Sequence, residues 1–189
     1  KGVSTPINKI AYTSSGVRYL TIGDEDKKPL LLVHGAPGGA YDWIGLAKQE
    51  AIYEKYKLII VERPGYFGTK PRKAERSILV QTQRILEVLE EETQAAVIMV
   101  HSYGGPIAVL AGALAPEKID HVIGLSGQYD PSNEIVMGIS RWVNFKIFRY
   151  LIPRYIWAAN VEKMSHAAAL EAIVAYYPKV KSPVILIHG

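Results

Sequence analysis

Ser102 stands in the segment Val100-His101-Ser102-Tyr103-Gly104-Gly105, between one apolar run, residues 95–100, and a second, residues 107–114. A strand that turns sharply into a helix with a serine at its apex is a nucleophile elbow. The turn forces the serine into an unusual backbone conformation, so its hydroxyl stands clear of the sheet. Glycine after the turn lets the helix pass close by, and the helix dipole favours negative charge that develops above it. The chemistry open to such a serine is acyl transfer. It requires a hole for the oxyanion, a base for the hydroxyl proton and an acid to orient that base.

A single elbow needs a sheet to carry it. Short apolar runs recur at residues 30–33, 58–61, 97–100, 122–125 and 184–187, with helical segments between them. Each run is apolar throughout, as expected of parallel strands covered on both faces, and the alternation predicts a doubly wound α/β sheet. Ahead of them, residues 7–13 and 17–22 read as an antiparallel hairpin around Ser14-Ser15-Gly16. Ser77 is placed to cap a helix with Ile78, Ile85 and Leu89 on one face. The helix after Ser102 is apolar on every side, which predicts burial, and Pro106 falls in its first turn, where a missing donor costs nothing. The residues after the strands are His34-Gly35-Ala36-Pro37-Gly38-Gly39, Glu62-Arg63-Pro64-Gly65, Ser102 itself, Ser126-Gly127-Gln128-Tyr129-Asp130 and His188-Gly189. In a parallel sheet these ends share one edge, and open α/β folds bind ligands there.

Three of those strand ends carry a resemblance. His34-Gly35-Ala36-Pro37-Gly38 is similar to H-G-x-P-G, and Glu62-Arg63-Pro64-Gly65-Tyr66-Phe67-Gly68-Thr69 to D-R-P-G-x-G-x-S with Glu for Asp and one extra residue. The elbow is similar to G-x-S-x-G, with Val100 in place of the first glycine. In this order and spacing they resemble the α/β-hydrolase family over residues 7–189. The resemblance implies a mostly parallel sheet with a small helical cap, in a single domain over residues 1–189. It implies Ser102 as nucleophile, with the backbone N–H groups of Tyr103 and Ala36 forming the oxyanion hole. His34 is expected to brace its loop, and the Glu62–Arg63 charged pair to tie the strand end to the elbow region. The cap is expected within residues 131–182, where no strand is predicted. Its first part, residues 135–152, is rich in Trp142, Phe145, Phe148 and Tyr150, along with Arg141, Lys146 and Arg149, and ends at Pro153. Two ordinary packing helices are the alternative there, and a membrane-surface helix a further one. Residues 167–177 read as a core helix leading into the last strand.

The base and its acid are harder to place. The family's histidine follows the eighth strand and its acid usually the seventh, and residues 183–189 look like that seventh strand. None of the five histidines holds the family position: His34 and His101 belong to motifs, His121 precedes a strand, His166 lies in the cap region, and His188 sits in a strand-end His-Gly pair. Asp130 is the visible acid candidate, after the sixth strand, and a Tyr-Asp-Pro turn explains it equally well. The expectation is that a further polypeptide segment completes the fold, adding strands and the histidine.

Composition bounds the rest. Half of the 189 residues are hydrophobic (49%), and 22 basic against 18 acidic side chains leave a net charge of +4 without a long like-charge block. The basic run at residues 70–76 reads as a solvated loop, so nucleic acid is not an expected partner. No cysteine is present, which excludes disulfides, thiolate metal sites and a cysteine nucleophile. No run reaches the ~18 apolar residues of a membrane span, and no metal or organic cofactor is implied. The expected activity is hydrolysis of a small or medium carboxylic ester through an acyl-enzyme. Serine at the elbow argues against the dehalogenase and epoxide-hydrolase branches, which need an aspartate there. A peptidase, a carbon–carbon hydrolase, a perhydrolase and a non-catalytic binding protein are the alternatives.

Overall fold

Alternation along the strands sets the layers, because successive side chains leave opposite faces of a sheet. A computed structural model describes residues 7–133 and 151–188. The strands are β1 (Ile7–Tyr12), β2 (Arg18–Ile22), β3 (Lys28–Val33), β4 (Tyr56–Glu62), β5 (Ala96–His101), β6 (Ile119–Leu125) and β7 (Val184–Ile187). They form one seven-stranded sheet in the order β1-β2-β4-β3-β5-β6-β7. β1 pairs antiparallel with β2 and β2 antiparallel with β4, while β4, β3, β5, β6 and β7 run parallel.

On one face Leu31, Val33, Ile59, Val61, Ile98 and Val100 pack against α3 (Ile78–Leu86) and α4 (Gly104–Leu114). On the other, Leu30, Leu32, Leu58 and Ile60 meet Ala40, Trp43 and Ala47, in and just before the short helix α1 (Ile44–Ala47). A second short helix, α2 (Glu50–Tyr53), leads into β4. The helix after Ser102 is buried from Gly104 to Gly112, with Pro106 inside its first turn. Ser77 caps α3, its hydroxyl accepting from the Val80 N–H at 3.2 Å. Leu89 is buried but lies beyond α3, in the tighter turn Glu87–Leu89.

One element departs from expectation. The core helix predicted over residues 167–177 is instead α5, Arg154–Glu171, followed by the turn Val174–Lys179. Proline explains the start: Pro153 occupies the N-cap with an extended ψ of 143°. The helix stops at Glu171, and Pro178 lies inside the tighter turn that follows. The aromatic-rich segment predicted as a cap lies, over residues 134–150, outside the described residues. No helix among the described residues is long and apolar enough to cross a membrane.

Register lines up the strand ends. Val61 pairs with Val33, Val33 with Val100, Val100 with Gly124 and Gly124 with Leu186, a row across five strands. All the strand-end motifs therefore begin within a few residues of one line. β7 closes this end of the sheet with four apolar residues, Val184, Ile185, Leu186 and Ile187, each 41–53% exposed.

Candidate active site

Ser102 and Tyr103 join the last residue of β5 to the start of α4, and the φ of Ser102 is +51°. That left-handed backbone costs a side-chain-bearing residue about 1–3 kcal/mol and persists only where surroundings over-determine it. Here they do: the Ser102 N–H donates to the Leu125 carbonyl of β6 at 2.8 Å, and its carbonyl accepts from the Gly105 N–H at 2.9 Å. Ser102 is partly exposed, while the ring of Tyr103 is buried. Neighbouring residues on one turn thus divide, one reaching solvent and the other anchoring the turn.

Two glycines make room for the elbow. A methyl group on Gly35 would lie 3.0 Å from Cβ of Ser102 and 3.0 Å from Nδ1 of His101, so a side chain there would crowd the elbow and glycine lets the loop after β3 lie directly against the serine. Ala36, next in that loop, is partly exposed. A methyl on Gly104 would meet Cβ of Val100 at 3.1 Å and the Val33 carbonyl at 3.2 Å. Val100 is tolerated in place of the family glycine because Gly104 leaves the space that its branched side chain needs.

Beneath the loop lies a buried polar centre built on Arg63. Its Nε donates to the His34 carbonyl (2.9 Å), and its Nη2 donates to the Gly35 carbonyl (2.9 Å). Nη1 donates to Oε1 of Gln81 (2.9 Å), and Nη1 and Nη2 grip the two oxygens of Glu162 at 2.7 and 3.1 Å. Both members of this ion pair are fully buried. The guanidinium also faces the rings of Tyr66 and Tyr103, each 4.6 Å from its carbon. Burial works against the charge on Arg63, but the Glu162 carboxylate together with Tyr66 and Tyr103 outweighs it and holds the pKa above the ordinary arginine value. Burial, with the Glu162 charge behind it, likewise raises the phenol of Tyr103. Nε2 of His34 accepts from the Arg63 N–H at 3.0 Å, which places the ring proton on Nδ1, donating to the Gly35 carbonyl at 2.7 Å. Burial, and then the Arg63 charge, push His34 well below its ordinary pKa, so the ring is neutral.

Glu62 and Arg63 do not act as one charged pair. Glu62 turns to Arg18 on β2 (3.0 Å) and to the Gly68 N–H (2.9 Å), and only Arg63 reaches toward the elbow. Adjacent residues at a strand end leave opposite faces, so they could not have shared a partner. The extra residue of this loop is accommodated at Phe67, whose φ is +33°. Its ring stacks on Tyr155 of α5 at 5.4 Å and meets Tyr41 edge-on at 5.6 Å.

The remaining expected site residues are dispersed. Asp130 is exposed, and its Oδ1 accepts from the backbone N–H and the hydroxyl of Ser132 at 2.8 and 2.6 Å. His101 is exposed, and His121 pairs with Asp120 at 2.9 Å. His166 is buried with its ring stacked on Tyr103 at 4.5 Å. Nε2 of His188 lies 3.0 Å from the Gly127 carbonyl. Among the described residues no group of three or more acidic or histidine side chains is placed to hold a metal ion.

Glu162 is absent from any motif. Its signal was helical: Ala158, Glu162, His166 and Leu170 recur at every fourth position of α5, all buried, so a carboxylate sits in a core-facing stripe, where it requires a buried cation.

Residues 28–152 match the profile of a family described as alpha/beta hydrolase fold. The chain is 30% identical to Epoxide hydrolase 1 of Caenorhabditis elegans over 110 residues, 57% of this chain and 27% of that protein. It spans little more than a quarter of the length of the curated relatives it matches. Among solved structures it is similar to a carboxylesterase of Nitrososphaera gargenis (19% identity, TM-score 0.72, covering 96% of this chain and 80% of the other). It is also similar to 2-hydroxy-6-oxo-6-phenylhexa-2,4-dienoate hydrolase of Rhodococcus (18%, TM-score 0.71, 98% and 82%). These structural likenesses establish the fold alone. With the sheet order, the elbow and the family profile in agreement, the chain belongs to the α/β-hydrolase family.

Proposed function

We propose that this chain carries the nucleophile and oxyanion hole of a serine hydrolase that cleaves a small or medium carboxylic ester. The observation that carries the reading is Ser102 itself, left-handed and solvent-reachable at the turn from β5 into α4, with the glycine loop after β3 packed against it. In this reading Oγ attacks the ester carbonyl while a base takes its proton. The tetrahedral oxyanion is held by the N–H groups of Tyr103 and Ala36. The alkoxide then leaves with that proton, and water releases the acid from the acyl-serine. The histidine and its acid come from a polypeptide segment that adds strands beside β7, where four apolar side chains stand half exposed. Serine at the elbow favours this reading over the epoxide hydrolysis named for one relative, which in this family uses an aspartate as nucleophile.

Turnover of p-nitrophenyl acetate and butyrate by the complete polypeptide tests the proposal. Ser102→Ala is expected to lower kcat by ~10³-fold or more. Equal turnover by the folded variant contradicts the assignment.

A further inference from the structure

We propose that Glu162 is a positioning residue for the oxyanion hole, acting through Arg63 on the peptide plane between Gly35 and Ala36; the inference rests on the reading of Ser102 as an acyl-transfer nucleophile. A trans peptide is rigid and planar, with its C=O and N–H pointing in opposite directions. Whatever fixes the Gly35 carbonyl therefore aims the Ala36 N–H. That carbonyl accepts two buried donors, Arg63 Nη2 at 2.9 Å and His34 Nδ1 at 2.7 Å. The preceding carbonyl, of His34, is held by Arg63 Nε at 2.9 Å. One guanidinium thus clamps two successive carbonyls, and the N–H that follows them is turned to the side away from it.

The guanidinium is itself fixed from behind. Glu162 accepts four hydrogen bonds, two from Arg63, one from Gln81 Nε2 at 3.1 Å and one from the Tyr66 hydroxyl at 2.6 Å. A bidentate pair fixes the plane of the arginine as well as its place. Glu162 belongs to α5, the helix that follows the segment at residues 134–150, so its carboxylate couples that helix to the loop beside Ser102. A buried ion pair contributes little net stability compared with apolar residues of similar volume. Its value here is orientation.

That property supplies the test, on the complete polypeptide. The double variant Arg63→Met with Glu162→Met removes the pair without leaving a buried charge. It is expected to fold, with kcat for p-nitrophenyl butyrate lowered ~10²-fold and KM little changed, because an oxyanion donor acts in the transition state. Phosphonylation of Ser102 by a fluorophosphonate is expected to slow in parallel. Should the double variant not fold, Tyr66→Phe, which deletes one hydrogen bond to Glu162, is expected to lower kcat three-fold or more at constant KM. Folded variants with the wild-type kcat, or with a loss confined to KM, overturn the inference while leaving the hydrolase reading intact. A wild-type protein that neither turns over ester nor labels overturns both.

Discussion

His34 is held between backbone groups of opposite kind, a donor at Nε2 and an acceptor at Nδ1, and only the neutral ring satisfies both. Its depressed pKa, set by burial and then by Arg63, has a consequence for pH. The unfolded chain takes up a proton near the ordinary histidine value of about 6.5 and the folded chain does not. The stability His34 contributes is therefore present above that pH and lost below it, by up to about 1.4 kcal/mol per pH unit. Thermal denaturation between pH 7 and pH 5 is expected to show this slope in the wild type and a shallower one in His34→Gln; identical slopes contradict the neutral assignment. At the elbow, Gly104→Ala is expected to destabilise by about 1–3 kcal/mol through crowding against Val100 and Val33, measured by urea unfolding. The turn at Ser102 and the loop through His34 and Ala36 were legible as backbone geometry, because motif spacing reports it. Glu162 was not, because its partner Arg63 lies 99 positions away along the chain and no local pattern joins them.

Among the elements, the strands were the easiest to read. A parallel strand covered on both faces has to be apolar at every position, and residues 30–33 in β3, 58–61 in β4 and 97–100 in β5 meet that demand, while β6 carries Asp120 and His121 ahead of its apolar run. α5 was read too late and too short, because its buried stripe includes Asn160, Glu162 and His166, which weaken the apolar period. Cap chemistry was a better guide at α3. Ser77→Ala is expected to cost about 1 kcal/mol, the worth of one N-cap hydrogen bond, as a shift in the urea midpoint without a change in slope. An unchanged midpoint would mean that solvent replaces the cap.

At the scale of the molecule, the sheet is asymmetric. One end is a hairpin and the other is β7, a parallel strand whose apolar side chains are half exposed and whose outer edge pairs with nothing among the described residues. Such an edge is a template for other chains. Expressed alone, these 189 residues are expected to associate with themselves, and Leu186→Lys is expected to shift the light-scattering mass toward the 20.9 kDa monomer. A monomeric wild type would contradict the partner proposed for this edge. The place of the site was legible at this scale, since one row of register joins the ends of five strands. The base was not, because none of the five histidines stands in a strand-end motif that would bring it to Ser102.

An activated nucleophile at Ser102 is read out most directly by covalent labelling. The complete polypeptide, incubated with a fluorophosphonate and digested, is expected to carry the phosphonyl group on the peptide containing Ser102. Ser102→Ala, folded to the same melting temperature, is expected to carry none. A folded wild-type protein that stays unmodified, or that carries the adduct on another residue while Ser102 is free, rules out Ser102 as the nucleophile.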